Sequence, residues 1–114
     1  NWDYTLMILV PDLITPAIFE EALLKLKKKK GDQPAFDRLR LDSFEEGLCV
    51  QTMHIGPYAT EPETLERMHA FMEEHGYRDL VGQGGKHHEL YIGDPRRAAP
   101  ENLKTVLRHP VAKR

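Results

Sequence analysis

The stretch Lys86–Arg97, KHHELYIGDPRR, decides how the rest of the chain is read. It has the pattern of a short strand that stops at Asp94-Pro95. Strand side chains alternate between the two faces of a sheet, so His88, Leu90 and Ile92 share one face and His87, Glu89 and Tyr91 the other. Glu89 therefore sits between a histidine and a tyrosine on a strand that is otherwise apolar. If that face is buried, desolvation disfavours the ionised carboxylate and raises its pKa. Such a group gives or takes a proton near neutral pH. Without a reactive substrate, it would attract a cationic aromatic ligand. The alternative is an ordinary strand carboxylate facing water.

Upstream, Leu48–Ile55 (LCVQTMHI) alternates as a second strand, with Gly47 before it as a turn or bulge and Gly56-Pro57-Tyr58 turning the chain after it. Thr60 and Glu63 have capping-box spacing for a helix whose buried stripe is Leu65, Met68, Phe71 and Met72. Gly76 is its expected stop. The methionines read as core filling. Gly82, Gly84 and Gly85 read as a flexible connection, since they lack the spacing of a dinucleotide loop. Leu103–His109 is the last strand, ended by Pro110.

Further toward the N-terminus, Tyr4–Val10 (YTLMILV) is a continuous apolar run with the look of a buried strand. Thr15-Pro16 opens a helix that Gly31 ends, with Ile18, Phe19, Ala22, Leu23 and Leu26 on one face. Lys27–Lys30 complement the dipole at that helix end. Arg38–Leu41 alternates as a strand at the rim of a sheet. The order is β-α followed by β-α-β-β, an α+β pattern: an antiparallel sheet with helices on one face.

Composition limits the function classes. With 114 residues, the chain is expected to be a single domain, made of a strand and helix over 1–32 and a β-α-β-β module over 37–112. Hydrophobic residues make up 40% and charged residues 30%, as in an ordinary globular protein. A net charge of −2 offers no electrostatic reason for nucleic-acid or membrane binding. Cys49 is the only cysteine, which excludes an internal disulfide and makes a reducing, cytoplasmic compartment the default. Within its apolar strand it reads as a buried filler, not a nucleophile. His87 and His88, as strand neighbours, point to opposite faces and cannot chelate one ion together. His54, His69, His75 and His109 show no ligand spacing, so a metal site could arise only where the tertiary fold happens to bring such residues together, and no metal is expected. His54, ahead of Gly56, reads as a hydrogen-bonded structural residue.

Three longer runs carry a resemblance. GLCVQTMHIGPY (Gly47–Tyr58) resembles the strand-and-turn signature of the GyrI-like small-molecule-binding family. KHHELYIGDPRRAAPENLKTVLRHPV (Lys86–Val111) and YTLMILVPDLITPAIFEEALLKLKKKK (Tyr4–Lys30) resemble a stand-alone bacterial and archaeal branch of it. The resemblance implies a fold of two β-α-β-β modules side by side, of which this chain looks like the C-terminal half. A ligand cavity would then lie between the modules, and a missing N-terminal module or a second copy would complete the sheet. It also implies a function. Related domains bind hydrophobic, often cationic aromatic compounds. Stand-alone members resemble hydrolases that detoxify cyclopropane-containing DNA-alkylating compounds by opening the ring with water. The pocket carboxylate of the family falls on Glu89, within HELYIGDP. Its aromatic residues fall on Tyr4 and Tyr58, with Tyr91 and Trp2 as further candidates. A Gly-Pro-Tyr turn also has packing reasons of its own.

Overall fold

The computed structural model describes residues 3–114, and the chain divides into two compact units, residues 1–44 and 45–114. In the first unit, helix α1 spans Pro16–Lys30. The Thr15 hydroxyl accepts a hydrogen bond from the Ile18 amide at 3.3 Å, Pro16 takes the first turn, and Gly31 leaves the helix at φ 75°. The Tyr4–Val10 run is exposed, carries no regular secondary structure, and joins no ladder among the described residues. A strand acquires its regular hydrogen bonds only from a neighbour, and no ladder among the described residues supplies one to this run. Of the residues expected to form a rim strand at 38–41, Arg38 ends a 3-10 turn over Pro34–Arg38 and the rest join no ladder among the described residues.

The second unit holds the four strands of the sheet. These are β1 (Cys49–Ile55), β2 (Tyr77–Asp79), β3 (His88–Tyr91) and β4 (Lys104–Lys113), with helix α2 (Glu61–Glu74) between the first two. The central strand is β4, and each of the three others pairs with it antiparallel. One of its edges carries β1, from Cys49↔Pro110 to Ile55↔Lys104. The other edge is shared end to end, with β3 against residues 105–108 and β2 against residues 111–113.

The long β4 overturns the expected stop at Pro110, which lies inside the strand. Its carbonyl accepts from the Leu80 amide at 3.0 Å, while the Val111 amide bonds Leu48 on the opposite edge at 2.9 Å. The donor that proline lacks would therefore face the gap between β3 and β2, where no ladder requires it. The glycine segment beside this gap is not slack. Amides of Gln83 and Gly85 both donate to the Leu80 carbonyl, at 2.9 and 3.0 Å, and that of Gly82 donates to Gly85 at 3.2 Å. A Cβ on Gly85 would lie 2.6 Å from Pro110 Cγ and 2.8 Å from the Leu80 carbonyl oxygen.

Opposed residues in an antiparallel pair share a face. Val50, Thr52 and His54 thus lie with His109, Leu107 and Thr105 on the side covered by α2. Met68, Met72, Leu107 and Val111 form the buried core, packed by Val50, Leu65 and Tyr77. Phe71 departs from the expected stripe: it is 45% exposed, and its ring stacks on His75 with centroids 4.0 Å apart. The opposite face of the sheet is open, and Met53, Ile55, Leu90 and Ile92 are exposed there. Glu46 bridges the rim of that face, accepting from Arg108 at 2.8 and 3.0 Å and pairing with His88 at 2.9 Å.

Candidate functional site

The register places Glu89 opposite Leu107 and Tyr91 opposite Thr105, on the face covered by α2. Polar His87, Glu89 and Tyr91 therefore turn toward the helix, while apolar Leu90 turns toward the open face. Side-chain exposure is 21% for Glu89, so the carboxylate is half-buried. Its Oε2 accepts from the Tyr91 hydroxyl at 2.9 Å, and its Oε1 lies 3.0 Å from His87 Nε2. The Tyr58 ring meets the Tyr91 ring edge-on at 5.9 Å.

A second carboxyl completes this site, and the sequence reading missed it. Glu61 opens α2 and is 9% exposed. It lies on the same buried stripe as Thr64, Met68 and Met72, at helical spacing. A stripe defined by apolar residues stops at Leu65, although extending its period toward the N-terminus reaches Glu61. One oxygen of Glu61, Oε1, is buried without a hydrogen-bond partner among the described residues.

The two carboxyls are pushed apart in proton affinity. Burial pushes Glu61 up to about 8, reinforced by the hydrogen bond to Glu89 and by its charge. A helix N-terminus favours an anion by only ~0.3–1 kcal/mol, less than the ~1.4 kcal/mol of one pKa unit. Burial therefore wins, and Glu61 holds its proton. Burial also works to raise Glu89, but hydrogen bonds from Glu61, His87 and Tyr91 outweigh it and hold this carboxyl below the usual range. Burial, aided by the neighbouring Glu89 carboxylate, pushes Tyr91 up to about 12, so its hydroxyl stays a donor. The pair therefore consists of one carboxylic acid and one carboxylate, the arrangement that separates acid and base roles.

Behind Glu89 the contacts continue. His87 Nδ1 lies 2.6 Å from His109 Nε2, and His109 Nδ1 donates to Asp79 Oδ2 at 2.9 Å. His69 Nε2, from α2, reaches the same oxygen at 3.0 Å, and Asp79 Oδ1 accepts from the Val81 amide at 2.9 Å. Donor atoms of Glu61, His87 and Glu89, and of His69, Asp79 and His109, lie within 4.8 Å of one another in each set. Within these sets His87 bonds Glu89, and Asp79 bonds both His69 and His109.

His54 is buried, as expected of a structural residue. Its Nε2 donates to the Pro57 carbonyl at 2.9 Å, which leaves Nδ1 to accept from the Thr64 hydroxyl at 2.7 Å. The expected capping box is absent. With φ −97° and ψ 2°, Thr60 directs its hydroxyl to the Pro57 carbonyl at 2.9 Å and toward His54 at 3.2 Å, away from the helix amides.

Of the residues picked out from the sequence, Glu89, Tyr91 and Tyr58 come together. Tyr4 lies in the first unit and is 71% exposed, and Trp2 falls outside the described residues. Two shallow hollows of about 290 and 310 Å³ open between β1 and α2, sharing Val50, Gln51 and Phe71. Neither is lined by Glu61 or Glu89.

No curated protein matches the chain. Among solved structures, it is similar to an uncharacterized conserved protein from Listeria innocua, at 48% identity and a TM-score of 0.86. The match covers 90% of this chain and 50% of that one. It is also similar to a protein described as a hydrolase from Listeria innocua, at 46% identity and a TM-score of 0.83, over 90% of this chain and 52% of that one. The chain thus spans about half the length of the solved structures it matches. The model of the GyrI-like small molecule binding domain matches residues 28–112, which takes in α2, β1 to β3, all but the last residue of β4 and the carboxyl pair, and the chain belongs to that family.

Proposed function

We propose that the protein binds a flat, hydrophobic aromatic small molecule and opens a strained cyclopropane ring on it with water. The observation that carries this reading is the facing pair Glu61 and Glu89, pushed apart in proton affinity, beside the edge-on rings of Tyr58 and Tyr91. Stacking on the tyrosines would hold the ligand. Glu89 takes a proton from the attacking water as the new carbon–oxygen bond forms. The ring carbon–carbon bond breaks, and its electron pair moves into the conjugated carbonyl. Glu61 gives its proton to that carbonyl oxygen, and transfer from Glu89 to Glu61 resets the pair. Ring strain supplies the driving force, and no cofactor enters the balance. Tyr91 is engaged by Glu89, so Glu61 takes the carbonyl-polarising role in place of a tyrosine hydroxyl.

Residues 1–32 are read as the end of a first module, and the missing N-terminal module or a second copy would complete both the cavity and the sheet. Among the described residues, no helix is long and apolar enough to cross a membrane, and a cytoplasmic setting fits the single cysteine.

The test is incubation of the full-length protein with a cyclopropane-bearing alkylator, with the ring-opened product followed by mass spectrometry. Turnover is expected, falling roughly 10²–10⁴-fold in Glu89→Gln. Tight binding without product would support the second reading, a sequestering or effector-sensing module. That reading is favoured by the same carboxylate, which also suits a cationic aromatic ligand.

A further inference from the structure

The contacts behind Glu89 can be counted in protons. The Asp79–His109 contact requires one on His109 Nδ1, because a carboxylate only accepts. The 2.6 Å contact between His109 Nε2 and His87 Nδ1 requires one between the two rings. The contact between His87 Nε2 and Glu89 requires a third, on the imidazole or on the carboxyl. Two neutral imidazoles carry two protons, whereas three contacts need three. The segment is therefore complete only with one proton in excess.

That proton has three seats. His109 is 4% exposed, and burial disfavours an imidazolium there. Glu89 already accepts from Tyr91 and faces the acid form of Glu61, which favours its anion. The His87 side chain is 32% exposed and lies between an anion and an imidazole. Of the three, it is the seat that water reaches most readily.

We propose that Asp79, His109 and His87 are positioning residues that store one exchangeable proton behind Glu89, so that Glu89 stays a carboxylate while Glu61 stays an acid. Asp79 orients His109, His109 orients His87, and His87 turns its Nε2 to Glu89. The groups facing this relay are Glu61 and His69 from α2, Tyr91 from β3, and the Val81 amide after β2. Tyr58 lies against Tyr91. The ion pairs of Glu89 and Asp79 among the described residues are with histidines. The proposal rests on Glu61 and Glu89 being the working pair, but its test needs neither ligand nor turnover.

The full-length protein, labelled with ¹⁵N and ¹³C, is titrated by NMR as wild type, Asp79→Asn and Asp79→Glu. In the wild type, the two rings should share three protons at pH 7. In Asp79→Asn the excess proton should leave at least one pH unit lower, and the Glu89 carboxyl midpoint should rise by a similar amount. Asp79→Glu should restore both. Wild-type rings holding only two protons at pH 7 would overturn the proposal. So would an Asp79→Asn variant with lower thermal stability but an unchanged Glu89 midpoint, which marks a purely structural role. Should Asp79→Asn fail to fold, His87→Gln at its half-exposed position is the substitute, again with a raised Glu89 midpoint expected. A negative turnover assay with normal titrations would discard the proposed reaction and leave the relay standing.

Discussion

At the scale of single residues, Glu61 is the side chain whose chemistry the fold changes most. Its proton affinity rises in the folded state, so the folded chain keeps a proton that the unfolded chain releases above the ordinary carboxyl range. Stability from this group is complete below pH 4.5, the usual value, and declines as pH rises toward about 8, by at most ~1.4 kcal/mol per pH unit. Glutamine mimics the protonated acid. Glu61→Gln should therefore flatten the decline of urea-unfolding stability between those limits while preserving stability at low pH. An unchanged slope in the variant would show that Glu61 ionises normally. Glu89 was readable from the alternation of its strand, because period two assigns a face whatever the fold. Glu61 was not, because a buried polar residue breaks the apolar pattern that marks a helix stripe.

At the scale of elements, the site depends on β4. That strand pairs with all three others, and its alternate residues Thr105, Leu107, His109 and Val111 form the buried row beneath α2. Leu107 has no exposed surface and lies opposite both Thr52 and Glu89. Leu107→Ala should cost about 2–5 kcal/mol in chemical denaturation, since a cavity remains where the helix and sheet meet. A cost below 1 kcal/mol would mean that α2 collapses onto the sheet and displaces Glu61. The apolar period located β1, β3 and most of α2. It stopped β4 early because proline was taken as a strand end, and only the position of Pro110 between two edge strands shows why it is tolerated. It also passed over β2, three residues long and too short for a period to register.

At the scale of the whole molecule, the core and every paired strand belong to residues 45–114, whereas α1 buries none of its residues. A fragment starting at Glu45 should keep the slow amide exchange of β4, measured by hydrogen-exchange NMR. Loss of that protection would show that the first unit contributes to the stability of the sheet. The Tyr4–Val10 run and the open face bearing Met53, Leu90 and Ile92 are both apolar and exposed. The strand expected over Tyr4–Val10 has the right composition, but composition cannot supply the neighbour that a ladder needs.

By itself the sequence determined the elements whose side chains repeat, the caps and stops of α1, and the face on which Glu89 lies. Those features follow from local periodicity and local hydrogen bonding. Tertiary structure alone decided the pairing of Glu61 with Glu89 and the line from Asp79 through two imidazoles to that carboxylate. Residues distant in the chain meet there because β4 runs between the strands that carry them. Proton affinity then depends on which charges and how much water each group meets, and neither is written in the order of the residues.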